Sequence, residues 1–367
     1  MKVLILSDIH STHTKRWVKS LSENGCEILL FGLLDCDASF YENLPNVTVC
    51  NYGFTFHKNS RSYRWIFGKS LYFKSLKKIK ELIRTFQPDI VHAHYASSYG
   101  LLGALTKFHP FVVSVWGSDV YSYPQSGTVY KKLLQYTFRK ADLILSTSHC
   151  MARETNKYTD KKIGITPFGV DTELFKPAKK ESDGSFVIGN VKTLSANYGI
   201  DLLIRAFAKV KADNPDKQLK LKIVGDGPDK AKLRELSRTL GVEAQTEFVG
   251  FVDNRQLPEV YNSFDVSVSL SYKESFGVVA VEAMACGCPV ITSDAEGFRE
   301  VVENGKEGLI VPKGNADAAA NAIQKLLEDA DLRHEMGQNG RQKVLQCYRW
   351  ADNVQMMVSF YQTLIDK

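Results

Sequence analysis

Short runs of β-branched and aliphatic residues alternate with longer stretches of helix-forming composition along most of the chain. Near the start, residues 2–7 predict a strand, residues 17–24 a helix that ends at Gly25, and residues 26–30 a second strand. This alternation predicts an α/β fold with parallel sheets. Because loops at the carboxyl ends of parallel strands line ligand crevices, the loop at residues 8–14 is a candidate binding segment.

The most specific pattern lies at residues 274–293, which read ESFGVVAVEAMACGCPVITS. Residues 276–285 predict a helix that is apolar on almost every side, Gly287 marks its end, and residues 289–293 predict a buried strand. A helix that begins near Phe276 leaves its first-turn N–H groups without intrahelical partners. Such groups attract phosphate.

Two carboxylates frame this predicted helix. Glu274 precedes it and can accept hydrogen bonds from hydroxyl groups, while Glu282 lies two turns along it among apolar residues. A buried carboxylate needs a partner, so the pattern predicts one for Glu282. The alternative is an ordinary amphipathic helix whose N-terminal glutamate favours the helix dipole.

Composition then sets the class of protein. A chain of 367 residues is too long for one core and predicts two domains. No apolar run is long enough to cross a bilayer, and the apolar start is too short for a secretory signal. The seven cysteines lack regular spacing, which favours structural roles in a reducing compartment. We therefore expect a cytoplasmic protein.

Positive charge is concentrated in the first half of the chain. Residues 1–175 hold 22 Lys and Arg against 14 Asp and Glu, and the remainder holds 25 against 27. Residues 54–86 interleave aromatic rings with nine basic residues, opposed by Glu81 alone. This mixture suits an anionic membrane surface, although a helix with a solvated basic face explains it equally well. Single-stranded nucleic acid favours a similar mixture, but we expect no nucleic-acid partner.

The motif at residues 274–291, with its two glutamates around S-F-G and its ending G-x-P-V-I, closely resembles the donor site of one enzyme family. That family is the retaining glycosyltransferases of the GT-B fold, glycosyltransferase family 4 (glycosyl transferases group 1). Three further segments fit it: D-x-V-H-x-H at 89–94, F-G-V-D-x-x-x-F-x-P at 168–177 and G-D-G-P at 225–228. The resemblance covers nearly the whole chain.

The resemblance implies two Rossmann-like α/β domains that face each other across a cleft. We place an acceptor-binding domain at residues 1–172, a donor-binding domain at 173–346, and a C-terminal helix at 347–367 that returns to the first domain. The stripe of methionine and aromatic residues on that helix has helical spacing and is interpreted as core.

The resemblance also implies roles for individual residues of the second half. Glu274 matches the residue that holds the hydroxyls of the donor sugar, and Glu282 the one that binds the ribose diol. Lys192 matches a cation on the donor diphosphate, whereas Asn197 and Tyr198 lie where relatives have a second basic residue. Further donor contacts are expected from Ser275, Phe276, Gly277, Val278, Gly225, Phe251 and Arg299, with Phe298 and Arg299 in a loop over the sugar.

Expectations for the first half are less specific. His10, His13 and His94 are candidates for the acceptor side. The alternative for His10 and His13 is that they are solvent-exposed polar residues at a helix entry, and the alternative for His94 is a structural histidine. Many relatives have a histidine where Trp116 stands, so Asp119, after a predicted strand end and a glycine, becomes the candidate catalytic carboxylate beside Glu274 and Lys192.

The function that follows is transfer of a sugar, with retention of configuration, from a nucleoside-diphosphate sugar such as a UDP-sugar. The acceptor is expected to be a glycan or lipid-linked glycan of bacterial-type surface polysaccharide, including lipopolysaccharide, at the cytoplasmic membrane face. The histidines lack metal-ligand spacing, so we expect neither a metal ion nor another cofactor. Two alternatives are a nucleotide-sugar epimerase of the same fold and a non-catalytic subunit that binds sugar nucleotides.

Overall fold

The chain forms two compact units in the computed structural model, which describes residues 1–35, 37–54, 63–179 and 183–366. The first unit contains Met1–Thr166 and Val354–Lys367, and the second contains Pro167–Asn353. The sequence places these boundaries at residues 172 and 346, whereas the compact units divide after Thr166 and after Asn353.

The first unit is built on a seven-stranded sheet in which all paired strands run parallel, with the order β3-β2-β1-β4-β5-β6-β7. The strands β1 to β7 are Lys2–Leu6, Glu27–Leu34, Val47–Phe54, Ile90–His94, Phe111–Val115, Leu143–Ser146 and Ile163–Ile165. The aliphatic side chains of the central strands β1, β4 and β5 are almost completely buried, as expected for a parallel sheet covered on both faces, whereas those of the edge strand β7 are half-buried.

Seven helices connect these strands. The helices α1 to α7 are Thr12–Glu23, Ser39–Glu42, Tyr63–Phe86, Tyr99–Thr106, Ser118–Tyr121, Thr128–Lys140 and His149–Thr155. Helix α1 begins at Thr12, five residues before the predicted start, so the first binding loop is shorter than expected and His13 lies in the first turn of a helix. The predicted start at Trp17 marks only the first large apolar residue, which is buried.

The second unit repeats this plan with six strands in the order β10-β9-β8-β11-β12-β13. The strands β8 to β13 are Phe186–Val191, Leu219–Val224, Thr246–Gly250, Val266–Ser269, Val290–Ser293 and Gly308–Val311. The helices α8 to α14 are Ile200–Asp213, Lys230–Thr239, Leu257–Asn262, Val278–Ala285, Glu296–Val301, Ala316–Glu328 and Ala330–Cys347. In both units, therefore, the strand order reverses beside the first strand, as in Rossmann-type sheets.

The last helix, α15, spans Trp350–Ile365, and its part from Val354 onward belongs to the first unit. Val354, Met357 and Tyr361 are buried, which confirms that the apolar stripe is core. The Tyr361 hydroxyl lies 2.5 Å from Nδ1 of His92, on the central strand β4. This contact fixes the helix against the sheet. No helix in the described ranges is long and apolar enough to span a membrane.

Replacing Tyr361 by Phe should lower the free energy of unfolding by about 1–2 kcal/mol, because it leaves a buried nitrogen of His92 without its partner. Urea denaturation followed by fluorescence would measure the change. Thr363→Val is the matched control, since that exposed hydroxyl bonds only Ser359 O of its own helix. Equal effects of the two substitutions would contradict this role of Tyr361.

Candidate functional site

The strand order of the second unit brings two loops together. Lys192 directly follows β8, and Glu274 lies in the loop after β11, the strand that pairs with β8 on the side where the order reverses. Ligands of open parallel sheets bind outside the carboxyl ends of the strands at such a reversal. The fold alone therefore places these two side chains at the expected position of a ligand.

The two side chains form an ion pair. Lys192 Nζ lies 2.7 Å from Glu274 Oε2, and the side chains are only 14% and 12% exposed. On another side, the ammonium lies 4.7 Å from the ring centroid of Tyr198, a cation–π contact. The loop that carries Tyr198 is tied to the loop before Glu274, because Tyr272 N donates to Asn197 O at 2.9 Å.

Hydrogen bonds within the loop also position Glu274. Its carbonyl oxygen accepts from Gly297 N at 3.1 Å, and its second carboxylate oxygen accepts from Ser275 N at 3.3 Å. Ser293 Oγ donates to the carbonyl of Ser271 at 2.6 Å and so connects the same loop to β12. The carboxylate is thus held in place before any ligand binds.

Helix α11 begins at Val278 and not near Phe276, which corrects the predicted start. Gly277 is the N-cap residue with φ of 100°, and a Cβ there would lie 2.9 Å from the ring of Phe298. This left-handed conformation is favourable only for glycine, and α11 therefore begins after Gly277, at Val278. The first-turn N–H groups are therefore those of Val278 and Val279, while the Phe276 side chain is buried in the core.

Gly225 lies against the backbone of Lys192. Its φ is 134°, and a Cβ at this position would approach the carbonyl oxygen of Lys192 to 2.0 Å. The N–H of Gly225 donates to the carbonyl of Gly250 at 2.7 Å. The next residue, Phe251, is 80% exposed. Both residues are predicted donor contacts: Gly225 sets the path of the backbone at Lys192, and Phe251 places an exposed aromatic ring after β10.

Glu282 has the partner that its burial required. The Tyr261 hydroxyl donates to Glu282 Oε2 at 2.9 Å, and both residues are buried. Burial and the neighbouring Glu282 carboxylate raise the pKa of Tyr261 well above its ordinary value, so the phenol stays protonated and donates. Tyr261 is not predictable from the motif that contains Glu282, because it lies on a different helix, α10, with no local motif around it.

The predicted loop over the sugar is instead a helix, which corrects that expectation. Phe298 and Arg299 belong to α12, and Phe298 is fully buried, where it packs over Gly277. Arg299 is exposed on the same helix. The structure thus gives Phe298 a role in the core and leaves Arg299 on the surface of the second unit.

In the first unit, His94 lies in the core and is not a surface group. Its Nδ1 lies 3.0 Å from Ser7 Oγ, and its ring stacks on Trp116 with centroids 4.3 Å apart. The neighbouring His92 contacts Ser114 Oγ at 2.8 Å through Nε2. Burial lowers the pKa of His92 to about 3 and that of His94 well below its ordinary value, so both rings are neutral. The structural alternative therefore holds for His94.

Asp119 is also structural. Its carboxylate accepts the N–H groups of Ala96, Gly117 and Trp116 at 2.9, 2.8 and 3.2 Å, and the residue is 1% exposed. Burial raises its pKa although these N–H groups oppose the shift. The carboxylate holds the loops after β4 and β5 together, so the predicted catalytic role for this position does not fit its surroundings.

His10 and His13 remain near the carboxyl end of β1. His10 is exposed, and its Nε2 lies 3.2 Å from the carbonyl of Asp35. His13 is half-buried with its ring 5.7 Å from that of Trp116, and burial together with the charge of Arg16 lowers its pKa to about 4. Within the described part of the chain, no group of three or more His, Cys, Asp and Glu side chains could hold a metal ion.

Two family models match the chain. The model described as glycosyl transferases group 1 matches residues 171–343, and the model described as glycosyl transferase 4-like matches residues 2–148. Among curated proteins, the chain is similar to the N-acetyl-alpha-D-glucosaminyl L-malate synthase of Bacillus anthracis. The two are 28% identical over 302 residues, which are 78% of this chain and 77% of that protein.

Solved structures share the fold over the full length. A sucrose-phosphate synthase from Thermosynechococcus elongatus has a TM-score of 0.83 at 22% identity and covers 100% of this chain and 99% of its own. HepE from Anabaena, in complex with UDP-glucose, has a TM-score of 0.78 at 22% identity and covers 99% and 100%. These similarities show the fold, which is the predicted GT-B fold with two Rossmann-like domains.

The buried histidines predict a loss of stability in acid. His13, His92 and His94 stay neutral in the folded chain but bind protons near pH 6.5 when unfolded, so stability is fully present above that pH and falls below it. Between pH 7 and pH 5.5, each of these histidines should lower the free energy of unfolding by about 1 kcal/mol. Thermal unfolding over this range should show a shallower pH dependence in His92→Gln, and an unchanged one in the exposed control His334→Gln. Parallel profiles for wild type and His92→Gln would contradict the assignment.

Proposed function

The chain belongs to the glycosyl transferases group 1 family, and on that premise we propose that it transfers a sugar from a nucleoside-diphosphate sugar to a hydroxyl of a glycan or lipid-linked glycan. The observation that carries the proposal is the ion pair between Lys192 and Glu274 at the strand-order reversal of the second unit. It provides one cation for a diphosphate and one carboxylate for sugar hydroxyls within a single site. UDP in complexes of a protein with the same fold supports a UDP-sugar as donor.

In the proposed mechanism, Lys192 Nζ and the first-turn N–H groups of α11 stabilise the negative charge that develops on the leaving diphosphate. These groups supply the positive charge, so we propose a reaction without a metal ion or another cofactor. Glu274 accepts hydrogen bonds from sugar hydroxyls and orients the ring, and Glu282 binds the ribose diol with the help of Tyr261.

The transfer proceeds with retention. The acceptor oxygen forms a bond to the anomeric carbon on the face from which the diphosphate departs, the bond between that carbon and the phosphate oxygen breaks, and the acceptor proton passes to the leaving phosphate. No protein base is required for this step, which agrees with the structural role of Asp119. We propose that the product is used in surface polysaccharide synthesis on the cytoplasmic side of a membrane.

Two helices of the first unit support peripheral membrane contact. The side chains of residues 54–73 lie outside the described residues, so the prediction for 54–86 is assessed on the remainder of α3, where Lys74, Lys77, Lys80 and Arg84 are exposed. Helix α4 packs between α3 and α6. At its start, α6 exposes Val129, Tyr130 and two lysines. Exposed apolar side chains next to lysines can insert at the surface of an anionic bilayer while the lysines contact its headgroups.

Donor binding is tested by thermal shift with UDP, GDP, ADP and UDP-glucose, because a ligand that binds only the folded chain raises its melting temperature. We expect a shift with UDP and UDP-glucose that Lys192→Met removes. Lys209→Met is the matched control, since Lys209 forms an ion pair of similar length with Asp317 away from the site. No shift in the wild type with any of these nucleotides would contradict the proposed donor class.

Conversion of UDP-glucose without an acceptor would point to an epimerase, and binding without transfer to glycan or lipid acceptors would point to a binding subunit.

Membrane contact is tested by co-sedimentation with vesicles. Each surface lysine contributes about 1 kcal/mol to binding of an anionic bilayer, so the combined variant Lys74→Ala, Lys77→Ala, Lys80→Ala should bind phosphatidylglycerol vesicles about 100-fold more weakly. A control variant, Lys217→Ala, Lys232→Ala, Lys325→Ala, removes the same charge from exposed positions of the second unit. Equal losses for both variants, or wild-type binding to neutral vesicles as strong as to anionic ones, would refute this surface.

A further inference from the structure

We infer that the Lys192–Glu274 ion pair makes the site release its spent nucleoside diphosphate, because Glu274 opposes a diphosphate that no longer carries a sugar. Glu274 would then act twice, first in orienting the donor sugar and afterwards in expelling the product. This inference rests on the proposed function and adds a discrimination between loaded and spent donor.

Glu274 and a bound diphosphate compete for one ammonium group, that of Lys192. Lys192 Nζ already contacts Glu274 Oε2 at 2.7 Å, with both side chains largely removed from water. Electrostatic interactions at such a position are screened less than those on the surface. A diphosphate that binds Lys192 therefore meets a carboxylate within a few ångströms, and the two anions repel each other.

The attached sugar weakens the repulsion between Glu274 and the diphosphate. A carboxylate only accepts hydrogen bonds, and sugar hydroxyls can donate to it. While the sugar is attached to the diphosphate, these hydroxyls satisfy Glu274 and offset the repulsion. After transfer the hydroxyls depart with the acceptor, and Glu274 is left facing the diphosphate with Lys192 as its nearest cation.

The ring of Tyr198 also holds Lys192. Tyr198 contacts the ammonium through its ring at 4.7 Å and has no net charge to exchange with either ligand. Its contribution is the same with loaded and spent donor, so it positions Lys192 without favouring one state. Of the two groups that contact Lys192, the Glu274 carboxylate is the one whose interaction with the ligand depends on the presence of the sugar.

Isothermal titration calorimetry of the full chain with UDP and with UDP-glucose tests the inference. Glu274→Gln keeps the shape of the side chain and removes its charge. We expect Glu274→Gln to bind UDP about tenfold more tightly than the wild type, while binding of UDP-glucose does not improve in proportion. Steady-state turnover should fall, and UDP should become a stronger product inhibitor.

Two controls separate this effect from others. Asp317→Asn removes one carboxylate from the ion pair with Lys209, which has a distance of 2.8 Å, and should leave the affinity for UDP unchanged. Glu274→Asp keeps the charge and should retain the weak binding of UDP. Melting temperatures without ligand would show whether each variant is folded.

The outcomes distinguish the inference from the proposed function. If the wild type binds UDP and Glu274→Gln binds it equally or less tightly, the inference is overturned while the donor site stands. If neither the wild type nor Glu274→Gln binds UDP or UDP-glucose, the proposed donor class fails and the inference fails with it. Tighter UDP binding in Asp317→Asn as well would reduce the effect to overall charge and also overturn the inference.

Discussion

The parallel direction of the strands is the constraint on which the rest of this structure depends. Because each unit reverses its strand order beside its first strand, two loops diverge at β1 and β4 and two more at β8 and β11. In the second unit the loops after β8 and β11 follow neighbouring strands, so Lys192 and Glu274 are in contact although they are far apart in sequence. In the first unit, the corresponding edge holds the buried polar side chains of Ser7, His94 and Asp119.

The contrast between the two edges is chemical. The edge of the second unit carries a paired cation and carboxylate that remain partly accessible. The edge of the first unit carries His94, Ser7 and the fully bonded carboxylate of Asp119, all of them buried. Such a network fixes loop geometry, since each member loses its partner if a loop moves. The two edges thus differ in that one is closed by buried hydrogen bonds and the other keeps an accessible ion pair.

Sequence patterns were sufficient where local order decides the structure. The strands around Lys192 and Glu274, and the buried partner required by Glu282, follow from short apolar runs and a long motif. They were insufficient where a distant residue decides. The start of α11 depends on Phe298 packing over Gly277. Asp119 looked like a free carboxylate after a strand, but its use by backbone N–H groups of two loops is visible only in three dimensions. Likewise, the sequence shows only that Tyr198 lies where relatives have a second basic residue, and its ring contact with Lys192 depends on the fold.

The return of the chain to its first unit has a consequence for synthesis on the ribosome. Val354, Met357 and Tyr361 complete the core of the first unit, yet they are translated after the whole of the second. Domains usually fold in order of their emergence, the N-terminal one first. Here the first unit lacks its last helix until the end of translation. The second unit ends at Asn353, so it has all its strands and can fold earlier. The unit made first is therefore the one finished last.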